Sequence, residues 1–141
     1  MEPVLTLTDA PEAAALAVID DGLREYNRAA AGYVDHRPLA VLLVDPATGA
    51  TIGGLSGRTS LGGLFIDLVF VPEALRGRDL GTRLVELAEV EARRRGCRAG
   101  VLYTISFQAP GFYERLGWRV FGEIPCDPPG TSRVFMTKDF R

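Results

Sequence analysis

The sequence has few of the residues that build metal sites and disulfides. Its 141 residues include one histidine, His36, and two cysteines, Cys97 and Cys126. A metal site needs several ligands at matching spacing, and His36 has no such partners, so no metal is expected. The two cysteines lack a Cys-x-x-Cys spacing and are predicted to remain free thiols in a reducing compartment.

An excess of positive charge and long apolar runs are also missing. The net charge is −2 and the isoelectric point is near 5.4, which argues against a nucleic acid as the main partner. No stretch reaches the roughly 18 uninterrupted apolar residues of a membrane span, so no membrane partner is expected. The first residues carry neither a basic region nor an apolar run of the secretory kind, which predicts a cytoplasmic protein.

The remaining composition, 47% apolar and 24% charged, is that of an ordinary globular protein. Its length predicts a single domain spanning residues 1–141. The most informative stretch begins with the apolar segment Leu64–Val71, typical of a buried strand that Pro72 should end. From Leu80 the apolar period becomes helical and continues to Gly96. The apolar face of this helix is predicted to comprise Leu80, Leu84, Leu87 and Ala88, with Glu86, Glu89, Arg93 and Arg94 mostly elsewhere.

The turn that joins this strand to this helix has the features of an anion site. A helix start presents unpaired N–H groups and partial positive charge. Gly77 and Gly81 allow close approach to the main chain, while Arg76 and Arg78 add full charges, so a phosphate group would fit here. Alternatively, the glycines serve only a tight turn and close packing. The spacing matches neither the Walker loop nor the dinucleotide fingerprint.

The rest of the chain alternates short strands and helices. Its period and turn residues predict the order β-α-β-β-β-α-β-α-β-β. The predicted elements outside the central stretch are a strand at Val4–Thr8, a helix at Pro11–Ala30 with a break at Gly22 left open, strands at Leu39–Val44, Ala50–Arg58 and Ala99–Thr104, a helix at Ala109–Leu116, a strand at Trp118–Phe121, a Pro-rich loop at 123–130 and a last strand at Ser132–Thr137.

Two ordered motifs resemble those of the GNAT superfamily of N-acetyltransferases. The first is similar to its acetyl-CoA motif [QR]-x-x-G-x-[GA], with Arg76 and Gly81 at the outer positions and Asp79 in place of the inner glycine. The second, residues 106–118, is similar to N-x-x-A-x-x-x-Y-x-x-x-G-[FYW]. There Ala109, Tyr113, Gly117 and Trp118 match, and Ser106 replaces the asparagine. Together the motifs cover about the C-terminal half.

The resemblance implies a fold and a cofactor site. The fold class would be α/β (α+β), with a mixed, mostly antiparallel sheet, splayed at a bulge to form the acetyl-CoA cleft and flanked by helices. Main-chain groups of one strand would pair with the pantetheine arm, and the turn would hold the pyrophosphate. The residues implied in cofactor binding are Phe70, Val71, Arg76, Gly77, Arg78, Asp79, Leu80, Gly81, Thr82 and Ser106.

The same resemblance makes Tyr113 the general acid that protonates the departing coenzyme A thiolate. A phenol with a pKa near 10 is a sensible donor to a thiolate if the two lie within hydrogen-bond reach. The structural alternative is that Phe112 and Tyr113 are core aromatics of a short helix.

Asp67 is the candidate general base, because it is the one acid in the buried strand and burial raises the pKa of a carboxyl group. It could equally be a structural partner of an arginine. Asp79 is expected to turn away from the phosphates by capping the helix that begins at Leu80.

Other kinds of catalysis are disfavoured. Ser56 is not in a G-x-S-x-G elbow, and Cys97 follows a helix C-terminus, the wrong end to lower the pKa of a thiol. The function predicted is therefore acetyl transfer from acetyl-CoA to a primary amine, a small molecule or an amino terminus, by direct attack without an acyl-enzyme. The alternatives are a non-catalytic acyl-CoA-binding module and, less favoured, a toxin acting on charged tRNA. A homodimer is left open.

Overall fold

The computed structural model describes residues 1–141, which form two compact units, Met1–Val34 and Asp35–Arg141. The first unit contains helix α1, Ala13–Ala31, which passes through Gly22 without a break. Gly32 ends α1 in a left-handed conformation, and its N–H donates to the Arg28 carbonyl at 2.8 Å. The predicted strand at residues 4–8 is wrong, since these residues form no strand. No helix of the chain is both long and apolar enough to span a bilayer.

The second unit is built on a six-stranded mixed sheet. Its strands are β1 Arg37–Val44, β2 Thr51–Ser60, β3 Gly63–Phe70, β4 Ala99–Ile105, β5 Arg119–Cys126 and β6 Thr131–Asp139. The spatial order is β1-β2-β3-β4-β6-β5, and every neighbouring pair is antiparallel except β3 and β4, which are parallel. This confirms the predicted fold class of a mixed, mostly antiparallel sheet.

The sheet splays between its two parallel strands. Pairing of β3 with β4 covers only three residue pairs and ends at Phe65 and Val101. On the other edge of β3, Asp67 is an extra residue between Ile66 and Leu68, which pair with adjacent residues of β2. An extra residue bends the strand that contains it. The rest of β3 and of β4 therefore face each other without ladder hydrogen bonds, as the resemblance implied.

Helix α2, Leu80–Arg94, covers one face of the sheet and contacts β1, β2 and β3. Its buried face differs from the predicted one by about one residue. Leu87 is 55% exposed, whereas Glu89 is 4% exposed and is part of the buried face. The buried residues of α2 are Leu84, Val85, Ala88, Glu89 and Ala92. Beyond its end, the Arg95 guanidinium donates to the Pro38 carbonyl and to the Thr59 hydroxyl, both at 3.0 Å, and so fixes α2 on β1 and β2.

Two smaller elements complete the second unit. Glu73–Leu75 forms a short 3-10 helix after β3, and Pro110–Arg115 forms α3. Strand β5 continues to Cys126 through Pro125, so the predicted loop at 123–130 begins too early. Proline is tolerated there because β5 is an edge strand, on which some backbone N–H groups need no partner.

Candidate active site

The splay between β3 and β4 opens into a cleft of about 930 Å³. Its walls are residues 66–71 of β3 and the segment after it, and residues 102–105 of β4. The turn before α2 forms one end, and the segment from Phe107 to Leu116, which includes α3, contributes the other lining groups. Both sequence motifs therefore line one cavity.

The turn at the start of α2 keeps its backbone N–H groups available. Asp79 is the N-cap residue of α2, yet no side chain caps this helix, so the predicted Asp79 cap is wrong. The first N–H groups of a helix have no partner within it. Gly77 has a φ of 80°, and a Cβ built there would have no atom within 4 Å, so the main chain is open to a ligand on that side.

Arg76 fixes the same turn against the end of β3. Its Nε donates to the Val71 carbonyl at 3.0 Å, and the side chain lines the cleft. A helix N-terminus with an arginine beside it is suited to a phosphate or pyrophosphate group, because the partial charges of the N–H groups and the full charge of the guanidinium act together.

Asp79 has an unusual backbone for a non-glycine residue, with a φ of 60° and a ψ of 16°. This left-handed conformation brings Cβ close to the carbonyl oxygen, and glycine, asparagine and aspartate tolerate it best. The geometry explains why the motif usually has glycine at this position. Here the residue places a carboxylate at the edge of a site suited to an anion.

Gly81 serves packing rather than ligand approach. A Cβ at this position would lie 3.3 Å from Cζ of Phe112 on α3, tighter than ordinary contact. The missing side chain thus lets α2 and α3 approach closely, which favours the structural alternative for this glycine. Its backbone N–H, in the first turn of α2, still belongs to the open helix start.

Tyr113 lies on α3 and lines the cleft, although it is only 8% exposed. Its ring makes edge contacts with Phe112 at 5.0 Å and Trp118 at 6.5 Å between centroids. Burial raises the pKa of the Tyr113 phenol, because the charged form loses solvation. The phenol therefore holds its proton at neutral pH and can donate it within the cleft.

Asp67 lies at the bulge of β3 and also lines the cleft. Its Oδ1 accepts a hydrogen bond from Arg58 Nη1 at 2.7 Å, and both side chains remain about half exposed. The Arg58 guanidinium stacks 4.7 Å above the Phe65 ring. This ion pair with Arg58 is the structural alternative considered above for Asp67, and Asp67 still lines the cleft while it forms the pair.

Two residues implied in cofactor binding, Arg78 and Ser106, do not line the cleft. Ser106 is bound to β6 instead: its N–H donates to the Ser132 carbonyl at 2.8 Å, and its hydroxyl accepts from the Ser132 N–H at 3.0 Å. The other eight residues implied in cofactor binding, with Tyr113 and Asp67, all line it.

Gln108 lines the cleft and was missed in the sequence. Its Oε1 accepts from the Thr104 hydroxyl at 3.0 Å and from the Ile105 N–H at 2.9 Å, which closes the turn after β4. Its position immediately before motif residue Ala109 was the only signal. Phe107 and Arg115 also line the cleft without having been singled out.

Comparison with known proteins identifies the family. The model of the Acetyltransferase (GNAT) family matches residues 8–118. The chain belongs to that family. It is 37% identical over 134 residues to Acetyltransferase Atu2258 of Agrobacterium fabrum, which covers 95% of this chain and 97% of the relative. It is 41% identical over 92 residues to Blasticidin-S acetyltransferase of Streptomyces morookaense, which covers 64% of this chain and 68% of the relative. The GNAT chain is therefore an enzyme of the acyltransferase class.

Solved structures share the GNAT fold. A candidate acetyltransferase from Agrobacterium tumefaciens superimposes with a TM-score of 0.89 at 35% identity, covering 97% of this chain and 99% of that chain. An aminoglycoside 6'-N-acetyltransferase complexed with coenzyme A superimposes with a TM-score of 0.62 at 20% identity, covering 88% and 92%. The second likeness concerns the fold alone.

Proposed function

We propose that this GNAT protein is an acetyl-CoA-dependent N-acetyltransferase whose acceptor is a primary amine. The observation that carries the proposal is the cleft between β3 and β4, which joins an uncapped helix start to a buried phenol. One end suits a pyrophosphate and the other offers a proton donor. A coenzyme A thioester has its phosphates and its sulfur at opposite ends of one extended arm.

The binding of acetyl-CoA is supported by three features of the chain. The N–H groups at the start of α2, with Arg76, are suited to the pyrophosphate. The main chain of Phe70, at the end of β3, and of Val71, just after it, lies beyond the point where pairing with β4 stops, and an extended arm can add there as a strand does. Coenzyme A is also the ligand of a solved structure with the same fold, described above.

The chemistry assigned to the chain is direct transfer. The thioester supplies an activated acetyl group to the attacking amine. Tyr113 holds the proton that the departing sulfur needs, since the phenol stays neutral in its buried setting. Asp67 is proposed to accept a proton from the ammonium form of the acceptor, directly or through water, while the Arg58 ion pair fixes its orientation. Positioning the two reactants together supplies much of the remaining rate enhancement.

The test is thiol release from acetyl-CoA in the presence of a panel of primary amines, including amino-terminal peptides. Wild type should release thiol only when an amine is present. Tyr113→Phe should keep its acetyl-CoA affinity but lose about 10²–10⁴ in kcat, the usual effect of a missing general acid. Tyr103→Phe is the matched control, because this phenol also lines the cleft but is half exposed and lies on β4.

The outcomes separate the proposal from its alternative. Acetyl-CoA binding without amine-dependent thiol release would identify a non-catalytic acyl-CoA-binding module. A kcat for Tyr113→Phe within about twofold of wild type would leave the transferase intact but would remove Tyr113 from the proton transfer.

A further inference from the structure

A buried polar cluster connects α2 to the end of α3. Glu89 of α2 is 4% exposed, and its Oε1 lies 2.8 Å from Nζ of Lys138 on β6. Its Oε2 accepts a hydrogen bond from Nε1 of Trp118 at 3.3 Å. Lys138, the single lysine of the chain, also donates to the carbonyl of Leu116 at 2.7 Å. We call Glu89, Trp118 and Lys138 the α3 anchor.

The α3 anchor acts on the element that carries Tyr113. Helix α3 has six residues, too few to be stable without tertiary contacts. Its last carbonyls lack partners within the helix, and a lysine at that end satisfies one of them. Leu116, the C-cap residue, receives the lysine bond three residues after Tyr113.

Trp118 connects the cluster to Tyr113 by a second route. The backbone N–H of Trp118 donates to the Tyr113 carbonyl at 3.0 Å, and the indole ring packs edge-on against the phenol. The indole also packs directly against β4, because a Cβ at Gly100 would lie 2.5 Å from Cη2 of the ring.

We propose that Glu89 and Lys138 are positioning residues that hold the end of α3, and with it the Tyr113 hydroxyl, at a fixed place in the cleft. The proposal rests on the proposed function, in which Tyr113 donates a proton. Such a donor must keep hydrogen-bond reach to the departing atom, and a displacement of about 1 Å can cost as much as 10²-fold in rate. The fold alone would not require a buried ion pair here, since such pairs are often replaceable by apolar residues.

The experiment uses the double variant Glu89→Gln/Lys138→Met. It removes both charges together, so no buried charge is left unpaired, and the glutamine keeps an acceptor for the indole. Its kcat should fall about tenfold or more while KM for acetyl-CoA stays within about twofold. In the Tyr113→Phe background the same pair of changes should lower kcat by less than about twofold, because the residue that they position no longer acts. Equal losses in the two backgrounds overturn the inference and leave the proposed function standing.

Arg93→Met is the matched control. Arg93 lies on the same helix and approaches the same carboxylate at 3.8 Å, but it is directed to Phe140 and has no bond to α3. This variant should leave kcat within about twofold of wild type. A kcat loss as large as that of the double variant would assign the effect to the charge of α2 rather than to α3, and would overturn the inference.

A second readout needs no turnover, so it decides the inference even if wild type acetylates no amine and the proposed function fails. Tyrosine labelled with ¹³C at Cζ reports phenol ionisation by NMR, and Tyr113→Phe assigns the Tyr113 signal among the four tyrosines. In wild type that phenol should titrate above its ordinary pKa, because it is buried. In the double variant water should reach it, and its pKa should move back towards about 10. An unchanged titration would overturn the inference.

Discussion

Replacing Asp79 should strengthen acetyl-CoA binding, because the residue places a carboxylate beside the proposed pyrophosphate site. Two phosphate charges about 8 Å from a carboxylate in a solvated setting each cost about 0.5 kcal/mol, or about 1 kcal/mol together. Asp79→Asn and Asp79→Gly should therefore both bind acetyl-CoA about fivefold more tightly than wild type. Calorimetric titration at low salt measures the change.

Salt provides the first check on the cause. The screening length falls from about 10 Å at 0.1 M to about 3 Å at 1 M ionic strength, so the gain should largely disappear at 1 M salt. Glu86→Gln is the matched control, because it removes an exposed carboxylate from the same helix almost two turns further on. A gain in affinity that persists at 1 M, or that Glu86→Gln reproduces, would refute the electrostatic explanation.

The free energy of unfolding distinguishes the effect of the Asp79 charge from the effect of its backbone conformation. Asn and Ala remove the same charge and lose the same small interaction with the helix dipole. Only Ala is poorly suited to a φ of 60°, which costs a residue with an ordinary Cβ about 1–2 kcal/mol. Urea unfolding should find Asp79→Ala about 1 kcal/mol less stable than Asp79→Asn. Equal stabilities would show that the left-handed conformation imposes no cost at this position.

Two further predictions concern the fold. Gly100→Ala should lower the free energy of unfolding by about 1–2 kcal/mol, because the new Cβ would meet Trp118 at 2.5 Å and Phe140 at 2.9 Å. Urea unfolding followed by the emission of the single tryptophan measures the change, and an unchanged midpoint would contradict this packing. Hydrogen bonds from Arg94 and, to a smaller extent, from Arg95 lower the pKa of Glu91 to about 2. The ionised Glu91 carboxylate therefore stabilises the fold above pH 4.5, and this contribution is lost as the pH falls towards about 2. Glu91→Gln should accordingly weaken the pH dependence of the urea midpoint across that window, and identical slopes for the two proteins would count against the ion pairs.

The features predicted best are the elements that depend on residues close together in the sequence. The strand, turn and helix around Arg76 were placed to within about two residues, because the apolar period changes sharply and glycines mark the turn. Most of the residues that the motifs implied do line the cleft. The splay could be expected only from the resemblance, since nothing local shows that the pairing of β3 and β4 stops at Phe65.

Features set by distant partners were not predictable. The alternating residues 4–8 resemble a strand, but a strand also needs a neighbour to bond with. Ser106 bonds to Ser132, 26 positions away, and so does not line the cleft. Glu89 has the polarity of a surface residue, and it is buried because Trp118 and Lys138 reach it from other elements. The prediction that Asp79 caps α2 was wrong for a different reason: the backbone of this residue is left-handed.

The bonds of Lys138 make its reactivity a measure of how often the end of α3 opens. No other side chain of the sequence bears a primary amine, and this one is bound to a carboxylate and a carbonyl in a side chain that is only 23% exposed. Amine-directed reagents should thus find no accessible lysine in the native protein. Modification of Lys138 would occur when the end of α3 detaches, so its rate would report how often that region opens. Peptide mass analysis would locate the modification on Lys138 and distinguish it from reaction at the exposed α-amino group of Met1.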